Sequence, residues 1–184
     1  MIIEQPARWL RWLYPKAIWR MNPEEHSVYL TFDDGPIPES TPFILKTLDD
    51  FGIKATFFMV GDNVRKHPDL YKQIIDAGHQ VGNHTYNHIG AFKHWAITYA
   101  VNTEKANKLI KAHWWLGKYY KIIMWDLVTR DYSKWLTADD VLNNVKKYSR
   151  NGSIITFHDS LKSIDKLRYA LPASIKWLKD QGYE

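Results

Sequence analysis

Short apolar runs rich in β-branched and aromatic residues recur along this chain, separated by segments of helical period. The runs are Val28–Phe32, Lys54–Val60, Gln80–Gly82, Lys121–Trp125 and Ser153–Phe157. Between them, Thr41–Phe51 puts Ile44, Leu45 and Leu48 on one face, and Leu70–Ala77 carries Ile74, Ile75 and Ala77 after Pro68. Thr98–Lys111 and Asp139–Tyr148 have the same character, the second entered through Thr137 as an N-cap. Strand and helix in alternation point to parallel strands covered by helices. Gly52, Gly78 and Gly152 fall where helices should stop. With 184 residues, 45% apolar and 15% aromatic, the chain can bury a sizeable core. A segment over 1–27 is expected to pack on a single α/β domain over 28–184.

The residues that close the strands carry the chemistry. Asp33/Asp34, Gly61/Asp62, Asn83/His84, Asp126 with Asp131, and His158/Asp159 each follow an expected strand. In a parallel barrel or sheet those strand ends gather on one face. The most pointed group is Asp33-Asp34-Gly35-Pro36, because two adjacent acids at a strand end rarely serve packing. A kink there lets one acid bind a cation while its neighbour takes a proton. His84 and His88 are spaced i, i+4, so a helical turn would aim both imidazoles at one point. Zinc sites commonly join such a pair to an acid, for which Asp34 is the candidate. Taken alone, the pair is more often two surface histidines near a helix start.

Other features exclude more than they assign. The chain has no cysteine, which removes disulfides and thiolate metal sites. Its net charge of +5 is scattered rather than blocked, and no DNA-binding spacing accompanies it, so nucleic acid is not an expected partner. Met1–Arg20 lacks the apolar run and cleavage site of a signal peptide, which leans towards an intracellular location. No stretch reaches transmembrane length. Arg8, Arg11, Lys16 and Arg20 among the tryptophans there would suit a membrane surface. Pro6 and Pro15 instead favour a short helix and turn packed on the domain. His67, His79, His94 and His113 read as surface or packing residues, and Asp62 with Asn63 as the start of a helix. Nine tryptophans and eleven tyrosines belong mostly to the core.

Thr31-Phe32-Asp33-Asp34-Gly35-Pro36 and His84-Thr85-Tyr86-Asn87-His88 resemble the first two motifs of the polysaccharide deacetylase family, the NodB-homology or carbohydrate esterase family 4 group. Ile155-Thr156-Phe157-His158-Asp159 is similar to its last motif, and Trp125-Asp126 through Asp131-Tyr132 to its fourth. The likeness runs from about Val28 to Gly182. It implies a distorted (β/α) barrel of seven or so parallel strands, and a divalent metal, usually zinc. It also implies removal of an acetyl group from an N-acetylated or O-acetylated glycan, such as an N-acetylglucosamine polymer or peptidoglycan. Carried onto this chain, Asp34, His84 and His88 hold the metal, Asp33 is the general base and His158 the general acid. Asp131 holds His158 protonated, Tyr132 contacts substrate, and Thr156 lines the acetyl pocket where the family has leucine. Asp131 reads equally as a loop aspartate capping a turn, and His158-Asp159 has the alternative of an ordinary strand-end turn.

One motif is missing. The family's Arg-Pro-Pro segment would fall between His113 and Lys121, where Trp114-Trp115-Leu116-Gly117-Lys118-Tyr119-Tyr120 stands instead. A deletion would remove a whole strand. A segment left out of the numbering around Ala112–Leu116 is the expectation, and it would show as neighbouring Cα atoms well beyond about 3.8 Å. Three functions therefore compete: a metal-dependent carbohydrate deacetylase, a glycan- or metal-binding protein without turnover, and a metal hydrolase of another ester or amide. Retention of both Asp33 and His158 favours the first, because a mere binder needs neither base nor acid.

Overall fold

The structure is a computed structural model of the chain, and the residues described are 4–90, 94–110 and 121–184. The elements among them are α1 (Arg8–Leu13), β1 (Tyr29–Asp33), α2 (Thr41–Asp50), β2 (Thr56–Met59), α3 (Gly61–Lys66) and α4 (Pro68–Asp76). There follow β3 (Gln80–Asn83), α5 (Ala96–Asn107), β4 (Leu127–Val128), α6 (Ala138–Tyr148), β5 (Ile154–His158) and α7 (Ile164–Asp180). The hydrogen-bonded strand order is β3-β2-β1-β5-β4, with β2 parallel to β3 and β4 parallel to β5. This is the expected α/β architecture, with five strands among the described residues where seven or so were expected. The expected strand over Lys121–Trp125 is reduced to one bridge, Ile123 beside Ile18, and the paired strand begins two residues later at Leu127. The junction at Ala112–Leu116, with His113, lies outside the described residues.

The chain packs as two compact units, each containing part of β1 and part of β5. The first takes the described residues of 1–31, 115–157 and 165–184. Its core joins Leu30, Leu127, Ile155 and Phe157 from strands to Val141 and Val145 of α6 and Leu167 and Leu171 of α7, all buried. Thr137 caps α6 by a reciprocal box with Asp140, as its spacing predicts. The long helix α7 is unannounced in the sequence, because Pro172 stands inside it and reads as a breaker. The N-terminal segment is tied down by polar bonds more than by its helix. Glu4 pairs with Arg130 at 2.6 Å, and Arg11 with Asp126 at 2.6 Å. Trp9 and Trp12 of α1 stay 64% and 80% exposed, contrary to a helix packed face-down. The six residues of α1 are too few to bury a stripe. No helix among the described residues is long and apolar enough to cross a membrane.

The second unit takes the described residues of 32–114 and 158–164. Phe32 of β1 stacks on Phe57 of β2 at 5.1 Å between ring centroids, and Ile44 and Leu48 of α2 and Leu70 and Ile74 of α4 are buried in the same unit. Thr56 to Met59 pair in register with Gln80 to Asn83, so β2 and β3 finish level. His79 is a buried packing residue, accepting the Ala55 N–H on Nδ1 at 3.2 Å.

Candidate active site

The ends of β1 and β3 are shaped by main-chain bonds. Beyond β1 the chain kinks at Asp34, whose φ of +82° is uncommon for a residue with a side chain. That turn is held on several sides. Asp34 N–H donates to Phe58 O at 3.2 Å, Asn63 Nδ2 donates to Asp34 O at 2.9 Å, and Val60 N–H donates to Gly35 O at 3.0 Å. Strain of this kind persists only where neighbours over-determine it, and it clusters at functional sites.

His84 begins the second loop, donating its N–H to Met59 O at 2.9 Å. The expectation of a helical turn across His84–His88 is corrected here. Thr85 and His88 take φ of +65° and +54°, which a right-handed helix excludes. A loop therefore brings the histidines together, and helix ends pin it. The first two N–H groups of α3, on Gly61 and Asp62, donate to Thr85 O and Tyr86 O at 2.9 and 3.0 Å. From α5, Asn102 Oδ1 accepts both the Tyr86 and Asn87 N–H groups at 2.7 and 3.0 Å.

Within this frame Asp34 Oδ1 lies 3.6 Å from His84 Nε2 and 3.2 Å from His88 Nε2, while Asp33 Oδ2 stands 4.0 Å from His84 Nε2. Asp34, His84 and His88 each offer a ligand atom within 4.8 Å of the others, forming the one such group among the described residues. Asp34 Oδ1 is buried and accepts no hydrogen bond. A buried carboxylate oxygen without a donor is costly, and a cation between it and two imidazole nitrogens removes that cost. One carboxylate and two neutral imidazoles are a donor set suited to zinc and its neighbours.

The remaining expected residues sit as follows. His158 ends β5, and the N–H of Asp159 after it donates to Asp33 O at 2.7 Å. Asp159 is fully buried, with its carboxylate accepting from Ser40 Oγ and from Thr41 Oγ1. Burial pushes it up to about 7; the two hydroxyls act against that rise, and the charges of Asp34 and Glu39 add to it. In the first unit Asp131 is buried, accepting the Tyr132 N–H at 3.1 Å, and Lys166 Nζ donates to its carbonyl at 2.8 Å. Burial raises the Tyr132 phenol. The Thr156 hydroxyl bonds that of Thr31 at 3.0 Å. Asp126, grouped in the sequence with the strand-end acids, is corrected to a structural anchor. It precedes β4 and is enclosed by Arg11, Arg150 and Ser153. Asn63, Asn102 and Asp159 were not foreseen as supports of the site. An asparagine on a helix carries no sequence signal of the loop it will hold, whereas Asp159 sat beside a singled-out histidine.

An α/β domain with an Asp-His-His group where its strands end is the class that fold and site define. The chain belongs to the polysaccharide deacetylase family, whose sequence profile matches residues 20–125. It is similar to a peptidoglycan-N-acetylglucosamine deacetylase of Bacillus cereus, 29% identical over 187 positions covering 90% of this chain and 87% of that protein. It also resembles a chitooligosaccharide deacetylase of Rhizobium leguminosarum bv. trifolii, 28% identical over 74% of this chain and 73% of that one. Among solved structures, a peptidoglycan N-acetylglucosamine deacetylase bound to 4-naphthalen-1-yl-N-oxidanyl-benzamide superposes with a TM-score of 0.85. It is 30% identical and covers 95% of this chain and 92% of that one. The 187 aligned positions of the Bacillus cereus match exceed 90% of 184 residues, so that protein carries residues this chain lacks.

Proposed function

We propose that this protein hydrolyses the acetamide of N-acetylglucosamine units in a glycan, peptidoglycan in the first instance, with a divalent metal, zinc, held by Asp34, His84 and His88. The observation that carries the reading is the buried, donorless Asp34 Oδ1 facing both imidazole Nε2 atoms, with Asp33 alongside. An acetamide is a poor electrophile, and the bound metal supplies carbonyl polarisation and a more acidic water. The chain's own residues do the rest. Asp33 takes the proton from the attacking water, a task suited to a carboxylate set beside the metal ligands but not among them. An amine leaves only when protonated, and His158 supplies that proton to the sugar nitrogen. Asp131 keeps His158 charged, and Tyr132 and Thr156 contact the substrate. These last assignments follow the motif resemblance. The names of the two relatives, a peptidoglycan-N-acetylglucosamine deacetylase and a chitooligosaccharide deacetylase, support an N-acetylated glycan as substrate, and that of the solved structure supports peptidoglycan.

The test is acetate release from peptidoglycan fragments and from chitin oligomers, by protein stripped with chelator and by protein reloaded with zinc. Release from the peptidoglycan fragments only after reloading is the expected result. Zinc bound with no acetate from either substrate would overturn the reading.

A further inference from the structure

Asp159 is a fully buried carboxylate that the proposed chemistry does not use, and its bonds converge on one loop. Its N–H donates to Asp33 O at 2.7 Å, at the loop's start. Its Oδ1 and Oδ2 accept from Ser40 Oγ and, at 2.6 Å, from Thr41 Oγ1, at the loop's end. Thr41 Oγ1 in turn accepts the Ile37 N–H at 2.8 Å, which ties the middle. Between these points Gly35 lies so close to the carboxylate that a Cβ there would strike Oδ2. Residues 33–41 are thus fastened at both ends to a single residue, by its backbone N–H at the start and its carboxylate at the end.

The arrangement has local costs. Ser40 is the N-cap of α2, yet it makes no capping hydrogen bond, because its hydroxyl serves Asp159 instead. A serine at that position ordinarily stabilises a helix by capping its first N–H groups. Burying a carboxyl is also unfavourable, and packing alone could anchor a loop with apolar side chains. The enclosed loop carries Asp33 and Asp34, which must meet His84 and His88 in a fixed geometry.

We propose that Asp159 is a positioning residue for the Asp33–Asp34 pair, gripping Ser40 and Thr41 while its N–H holds Asp33. It acts through the loop and touches neither substrate nor metal. The proposal rests on the reading of Asp34, His84 and His88 as metal ligands. Residues that orient metal ligands typically change metal affinity or activity by about 10–100-fold when altered.

The experiment compares full-length wild type with Asp159→Asn, Asp159→Ala and Thr41→Val. Zinc affinity is measured by chelator competition, kcat and KM by acetate release, and Tm by calorimetry. Asp159→Asn keeps the volume, and Thr41→Val removes one of the same bonds from the other end, so both remain informative if Asp159→Ala fails to fold. Folded variants with zinc affinity and kcat each reduced about tenfold or more, at nearly unchanged KM, are expected. Combining Thr41→Val with Asp159→Asn should then add little further loss. Wild-type zinc affinity in folded Asp159→Asn and Thr41→Val overturns the inference. Because that readout needs no turnover, wild type that binds zinc without releasing acetate would sink the functional reading and leave this one standing or falling on affinity alone.

Discussion

Asp33 and Asp34 are the same carboxylate on successive residues, and in the function proposed above the backbone between them divides their work into base and metal ligand. Asp34, turned by its positive φ, places Oδ1 within 3.6 Å of both imidazole Nε2 atoms, while Asp33 Oδ2 stands 4.0 Å from His84 Nε2. Two substitutions should therefore separate. Asp34→Asn replaces an anionic ligand with a neutral one and loses most of the zinc affinity. Asp33→Asn keeps zinc but removes the base, lowering kcat by about 10²–10⁴-fold. Zinc titration and acetate release on the same preparations distinguish them, and equal zinc loss in both would show that Asp33 is a ligand.

At the scale of elements, the site is a meeting of loops held by helices. Asn102 on α5 bonds two successive N–H groups of the histidine loop, and also donates through Nδ2 to Asn87 Oδ1 at 3.0 Å. Asn102→Ala leaves those donors without their partner and slackens the path from Thr85 to His88. Its expected effect is a zinc affinity lower by about tenfold with the fold intact, read by chelator competition beside a circular dichroism melt; unchanged affinity would rule the tether unimportant. These contacts mark the limit of what the sequence reveals. That Asp34, His84 and His88 come together was legible because the motif spacing is specific. The strands of the second unit were legible from their apolar runs. The loop path was not, since an i, i+4 pair implies a helix until positive φ values intervene. Nor was α7, because Pro172 argues locally for a break that packing overrides: Leu167, Leu171, Ile175 and Leu178 bury its face. Asp126 was misplaced for a related reason, as a strand-end acid looks the same in sequence whether it meets substrate or arginine.

Over the whole molecule, the first unit depends on that acid. Asp126 is fully buried. Burial alone would raise its pKa, but hydrogen bonds from Arg150, Arg11 and Ser153 outweigh burial and leave it below the ordinary 3.8. A carboxyl lowered on folding stabilises the native state above its unfolded pKa, and that contribution disappears as pH falls through the folded value. Wild type should therefore melt above Asp126→Asn at neutral pH, and the gap in Tm should narrow once pH drops below about 4. A gap constant from neutral to acid pH would show that the Asp126 charge does not contribute. The proposed chemistry needs a single cation meeting two loops. Anomalous diffraction at the zinc edge, from crystals grown with zinc, tests this most directly. One strong peak within bonding distance of Asp34, His84 and His88 is the predicted result. A zinc-loaded crystal with its ion elsewhere, and those three side chains bonded only to water or to one another, would contradict it.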